Sequence, residues 1–150
     1  MMGPGAPGEG PAPLTRFLVG YDASEPAQHA ALLALRLAAP LRAKVWLLYA
    51  TGGSSAQAEP LPPEVGEARA GAVLSALKRL VGTGRSLGVP VEPVLSDDLP
   101  LTALLRLVRE LPADLLLVGT RGLSAPQRPA LGSVSSRLVS EARIPVLVVP

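Results

Sequence analysis

Short, almost uninterrupted apolar runs alternate along this chain with longer stretches of helical periodicity, and no other feature limits the fold as tightly. Four of the runs are nearly continuous: Arg16-Phe17-Leu18-Val19-Gly20, Lys44-Val45-Trp46-Leu47-Leu48-Tyr49, Asp114-Leu115-Leu116-Leu117-Val118 and Pro145-Val146-Leu147-Val148-Val149. Continuous rather than alternating apolarity marks strands covered on both faces, as in a parallel sheet. A fifth run, Val91 to Leu95, contains Pro93. Proline removes a donor from the ladder, so this strand belongs at a sheet edge.

The intervening segments read as helices. Ser24 is placed to N-cap the first, with Pro26 in its first turn, and Ala30, Leu33, Ala34, Leu37 and Leu41 share one face. Glu64 to Leu87 carries Ala70, Val73, Leu74, Leu77 and Leu80 as its stripe and ends at Gly88. Leu101, Leu104, Leu105 and Val108 form a third stripe, with Asp97-Asp98 as its capping residues. A fourth helix is expected from about Ser133 to Ala142. The order β-α-β-α-β-α-β-α-β predicts an α/β fold with right-handed crossovers. It is a three-layer α/β/α sandwich around a five-stranded, mostly parallel, doubly wound Rossmann-like sheet. In such a sheet a ligand lies at the carboxyl ends of the strands, at the topological switch point. The residues just after Val19, Tyr49 and Val118 are therefore the place to look for chemistry.

Composition removes several functions. Cysteine is absent and His29 is the single histidine, so disulfides, thiolate catalysis and Cys- or His-cluster metal sites are excluded. Formal net charge is +2, with no basic run or basic–aromatic stripe, which argues against nucleic acid. No apolar stretch reaches the roughly 18 residues of a membrane helix. The beginning of the chain lacks the charged and apolar regions of a signal peptide. A cytoplasmic domain is expected, with no membrane partner. The residues MMGPGAPGEGPAPL at 1–14 read as a flexible Pro/Gly-rich tail and 15–150 as the domain, with a long surface loop from Thr51 to Pro63.

Familiar phosphate motifs fail: there is no Gly-Lys pair for a Walker loop, and the turn after the first strand reads Gly20-Tyr21-Asp22-Ala23-Ser24 rather than GxGxxG. The fourth strand is followed by a different pattern. Gly119, Gly122, Gly132 and Ser133 form Gly-x2-Gly-x9-Gly-Ser. Gly119 and Gly122 let backbone approach a ligand closely. Gly132 and Ser133 open a helix whose first N–H groups and positive dipole end favour phosphate. Ser133 and Ser135 add hydroxyls, and Arg121 and Arg128 are cations near the same place.

On these residues the chain resembles the universal stress protein family, in its nucleotide-binding branch. The opening Val19-Gly20-Tyr21-Asp22-Ala23-Ser24-Glu25-Pro26 and the ending Gly132-Ser133-Val134 through Ile144-Pro145-Val146-Leu147-Val148-Val149-Pro150 are similar to the family's first turn and last helix and strand. The chain departs from the pattern at Ser96-Asp97-Asp98-Leu99-Pro100, where a glycine is usual, and at Pro126 and Pro129.

The resemblance implies an adenine nucleotide alpha hydrolase-like fold binding ATP, or AMP or ADP, with Mg²⁺ held through the phosphates, and a homodimer formed through the last strand. By position, Asp22, with Gly20 and Tyr21 before it, would hold adenine or ribose, and Ala50 would line the adenine through its backbone. Val118 and Gly119 would flank the ribose and phosphates, and Gly122, Gly132, Ser133, Val134 and Ser135 would wrap the phosphates. No catalytic or metal-ligating residue is assigned. Binding rather than turnover is the expected activity, because no base positions a water and no lysine cradles a γ-phosphate. A slow ATPase or other enzyme on the same fold, and a nucleotide-free interaction module, are the alternatives. 

Overall fold

The computed structural model describes residues 13–52, 63–120 and 131–150. Five strands and four helices alternate: β1 (Arg16–Gly20), α1 (Glu25–Leu41), β2 (Lys44–Ala50), α2 (Pro63–Ser86), β3 (Val91–Ser96), α3 (Pro100–Glu110), β4 (Leu115–Gly119), α4 (Ser133–Glu141) and β5 (Val146–Val149). The sheet runs β3-β2-β1-β4-β5 with every pairing parallel. The expected order and sheet type are therefore present. Pro93 lies on β3, which among the described residues is an edge strand paired to β2 alone.

Alternate residues of each strand face opposite layers. Phe17, Val19, Val45, Leu47, Leu115 and Leu117 pack with α1 and α2. Leu18, Trp46, Leu48, Leu116 and Val118 pack with α3 and α4. Both faces of the three central strands are thus dry, which is why their sequences are apolar without alternation. Trp46 is a core residue beneath α3.

Local signals start and stop the helices. The Ser24 hydroxyl accepts the Ala27 N–H at 3.3 Å, capping α1. Gly88, past the end of α2, takes a φ of +74° that a side chain would oppose. Two expectations need correction. The buried face of α1 is Ala27, Ala30, Ala31, Ala34, Leu35 and Ala38, while Leu33 and Leu37 lie at its flanks and Leu41 is exposed. Alanines let the helix axis come close to the sheet, so the larger side chains are displaced sideways. The N-cap of α3 is Leu99, with no side-chain cap bond, rather than Asp97 or Asp98. The chain turns after Asp98, and its carboxylate is drawn instead to Arg106 at 3.1 Å.

Leu14, assigned by sequence to the tail, packs against the α1–α2 core. Residues 1–12 of the expected tail, most of the 51–63 loop, Gly122, Arg121 and Arg128 lie outside the described residues.

Candidate functional site

In this strand order the succession of strands reverses between β1 and β4, and the helices that follow these two neighbours join opposite layers, α1 one and α4 the other. The gap between their carboxyl ends is the switch point of a doubly wound sheet. Two turns border it, and each is built from short-range chemistry.

The first turn follows β1. Tyr21 extends the ladder by one bond, its N–H donating to the Leu48 carbonyl at 2.8 Å. Its ring is buried among the α1–α2 layer, and its hydroxyl donates to Gln28 Oε1. Burial pushes the Tyr21 phenol above its ordinary pKa; the nearby Arg79 charge opposes this and the Asp22 charge adds to it. Tyr21 therefore offers the switch point backbone, not side chain. Asp22 Oδ1 accepts the Ser24 N–H at 2.9 Å, and Ala23 sits at φ 65°. This side-chain turn aims the chain into α1 and leaves Asp22 half-buried at the β1 exit.

The second turn follows β4. Gly119 pairs with Val149 in β5 and lies against the start of α1. A Cβ there would stand 2.7 Å from Pro26 Cβ and 2.9 Å from the Ala27 nitrogen. The glycine is required by close approach of strand to helix, which draws the two exits together. Thr120 then acts as an acceptor. Its carbonyl receives the Gly132 N–H at 2.6 Å and the Ser135 hydroxyl at 3.0 Å. The chain on either side of residues 121–131 is thus pinned at one carbonyl.

Gly132 is the N-cap of α4 and provides no side-chain cap. The first N–H groups of a helix have no intrahelical partner. At α4 they belong to Ser133, Val134 and Ser135 and lie beside Thr120. Uncapped amides at a positive dipole end suit an anionic oxygen. Ser133 is exposed and Val134 packs on the α3–α4 core. Ser135 is buried, and its single proton points to backbone carbonyls, Thr120 at 3.0 Å and Gly132 at 3.1 Å. The arrangement fits a phosphate through amides and the Ser133 hydroxyl, with Ser135 bracing the turn.

Ala50 ends β2 on the far side of β1 and is half-buried. The structure thus brings Gly20, Tyr21, Asp22, Val118, Gly119, Gly132, Ser133, Val134, Ser135 and Ala50 to one end of the sheet. The contacts around Thr120 and Arg106 were not read from the sequence. An isolated threonine after a strand, or an arginine inside a helix, carries no signal of its partners. Among the described residues no group of His, Asp or Glu could hold a metal ion, and no helix is long and apolar enough to cross a membrane.

Residues 13–150 match the model of the universal stress protein family. A universal stress protein of Thermus aquaticus is 34% identical over 142 residues, covering 89% of this chain and 96% of that protein. Among solved structures, the universal stress protein UspA of Lactobacillus plantarum superposes with a TM-score of 0.80 at 26% identity, over 93% of this chain and 99% of that one. A universal stress protein solved in complex with cAMP superposes with a TM-score of 0.67 at 27% identity, over 93% and 99% of the two chains.

Proposed function

Since the chain belongs to the universal stress protein family, we propose that it binds an adenine nucleotide, ATP or AMP, between the carboxyl ends of β1 and β4 and acts as a nucleotide-dependent stress-response module. One observation carries the reading: α4 opens at the switch point with its first amides uncapped, behind a glycine, Gly119, that brings β4 against α1. The cAMP complex of a relative supports an adenine nucleotide as the ligand class.

In this reading the phosphates take the amides of Ser133, Val134 and Ser135 and the Ser133 hydroxyl, and Gly122 and Gly132 wrap them by letting the backbone pass close by. Asp22 accepts from the ribose or adenine. Gly20 and Tyr21 contribute backbone at the β1 exit, and Ala50 presents backbone to the base. Val118 and Gly119 form the floor under the ribose. Mg²⁺, when ATP is bound, is held through phosphate oxygens. The domain binds rather than turns over, works in the cytoplasm, and pairs with a second copy through β5, the edge strand beside β4.

Isothermal titration with AMP and ATP tests the proposal. The native protein gives saturable heat, and the double variant Gly122→Val, Gly132→Val gives none while keeping its circular dichroism. Unchanged affinity in that variant would move the ligand elsewhere. No heat and no thermal shift at millimolar nucleotide would favour an interaction module without nucleotide.

A further inference from the structure

The carboxyl ends of β2 and β3 are joined by an array of hydrogen bonds centred on one guanidinium. Arg106, in α3, donates from Nε and a terminal nitrogen to Asp98 Oδ2 at 3.3 and 3.1 Å. It also reaches Ser96 Oγ at 3.3 Å and Glu110 at 3.0 Å. Ser96 Oγ in turn accepts the Asp98 N–H at 3.1 Å. The backbone of this held turn then grips the exit of β2. The Asp98 carbonyl accepts the Gly52 N–H at 3.0 Å, and the Ser96 carbonyl accepts the Thr51 N–H at 2.7 Å and its hydroxyl at 3.1 Å. The crossing is so close that a Cβ on Gly52 would overlap the backbone of Asp97 and Asp98.

We propose that Arg106 is a positioning residue for base recognition: through Asp98 and Ser96 it fixes the Ala50-Thr51-Gly52 backbone that faces the nucleotide base. The inference rests on the nucleotide reading above and deepens it. A base edge is read by donors and acceptors whose placement matters to fractions of an ångström, and backbone leaving a strand is otherwise free to shift. Asp98 has no capping role at α3, so its carboxylate serves this tie. The guanidinium supplies several donors in a fixed fork, which a lysine would not reproduce.

Arg106→Met keeps the stem and removes the fork. The readout is the ratio of affinities for AMP and ribose 5-phosphate, because ribose 5-phosphate lacks the base. In Arg106→Met the ratio falls about fivefold, the scale of a partly exposed charged bond, while ribose 5-phosphate binds as before. Gly52→Ala, which forces the crossing apart with Arg106 intact, gives the same selective loss. Arg106→Lys recovers part of the ratio, and Asp98→Asn, which keeps an acceptor, most of it. Amide exchange follows the brace without ligand: Thr51 and Gly52 exchange faster in Arg106→Met, and the β1 amides do not. A preserved ratio in folded Arg106→Met overturns the inference. If the native protein binds no AMP, the nucleotide reading falls; exchange at Thr51 and Gly52 no faster than native would then overturn the brace itself.

Discussion

Gly119 and Pro26 approach so closely that a methyl group on the glycine would lie 2.7 Å from the proline Cβ. The end of β4 and the start of α1 are separated by little more than backbone. Gly119→Ala must therefore push α1 away or bend β4. A loss of about 1–3 kcal/mol is expected, the range of overpacking in a filled site, together with weaker AMP binding. Chemical denaturation and titration check both, and a fully stable Gly119→Ala would show that the approach is not needed.

Ser133 and Ser135 sit in the same first turn of α4 but are expected to fail differently. Ser135→Ala loses the tie to Thr120 and costs about 1 kcal/mol of stability, the usual net worth of such a bond. Ser133 is exposed and its hydroxyl has no hydrogen-bond partner among the described residues, so Ser133→Ala is expected to leave denaturation unchanged and to weaken AMP binding severalfold. Equal effects of the two substitutions on binding would contradict the division of roles.

Tyr21 makes stability depend on alkaline pH. Its phenol is held protonated by burial, so its folded pKa exceeds the ordinary value of about 10. Above that value the unfolded chain releases the proton while the folded chain retains it. Stability contributed by the neutral phenol is complete below pH 10 and is lost as pH rises toward the folded value. Tyr21→Phe should flatten this decline in urea midpoints between pH 9 and pH 11. A native protein whose midpoint falls no faster than that of Tyr21→Phe would refute it.

Asp114 ties the beginnings of β1 and β4 together, its Oδ2 accepting the Thr15 N–H at 3.0 Å and hydroxyl at 3.2 Å. Asp114→Ala leaves both without that acceptor. A loss of about 1–2 kcal/mol is expected for a half-buried carboxylate tie, read as a lower urea midpoint with an unchanged slope.

How far these features could be read from the sequence varies with the distance over which their causes act. Burial on both faces writes itself directly into a strand, so Phe17-Leu18-Val19, all fully buried, was legible as a central strand. The Ser24 cap and the turn at Gly88 depend on neighbours within four residues and were legible too. The packed face of α1 was misplaced because hydrophobic size points to Leu37 and Leu41, whereas helix–sheet spacing favours Ala34 and Ala38. Asp98 was read as a cap, whereas its carboxylate pairs with Arg106, because the path of the β3–α3 turn is set by its packing against Gly52, a residue of another loop. For the site, the glycine spacing located the β4 exit. The Thr120 carbonyl that anchors Gly132 and Ser135 has no sequence signature, since every residue carries one.

The position of β1 also governs how the chain is made. Its two neighbours are β2, which follows at once, and β4, whose Asp114 lies 99 residues beyond Thr15. During synthesis at roughly 5–20 residues per second, one side of β1 stays unpaired for on the order of ten seconds. In that interval the apolar residues of Phe17 to Val19 present an open hydrogen-bonding edge. Slow, non-local closure of this kind is the step at which a nascent chain is most exposed to aggregation. Closure of the sheet therefore waits for β4, and a chain cut short within α3 would keep this edge of β1 unpaired.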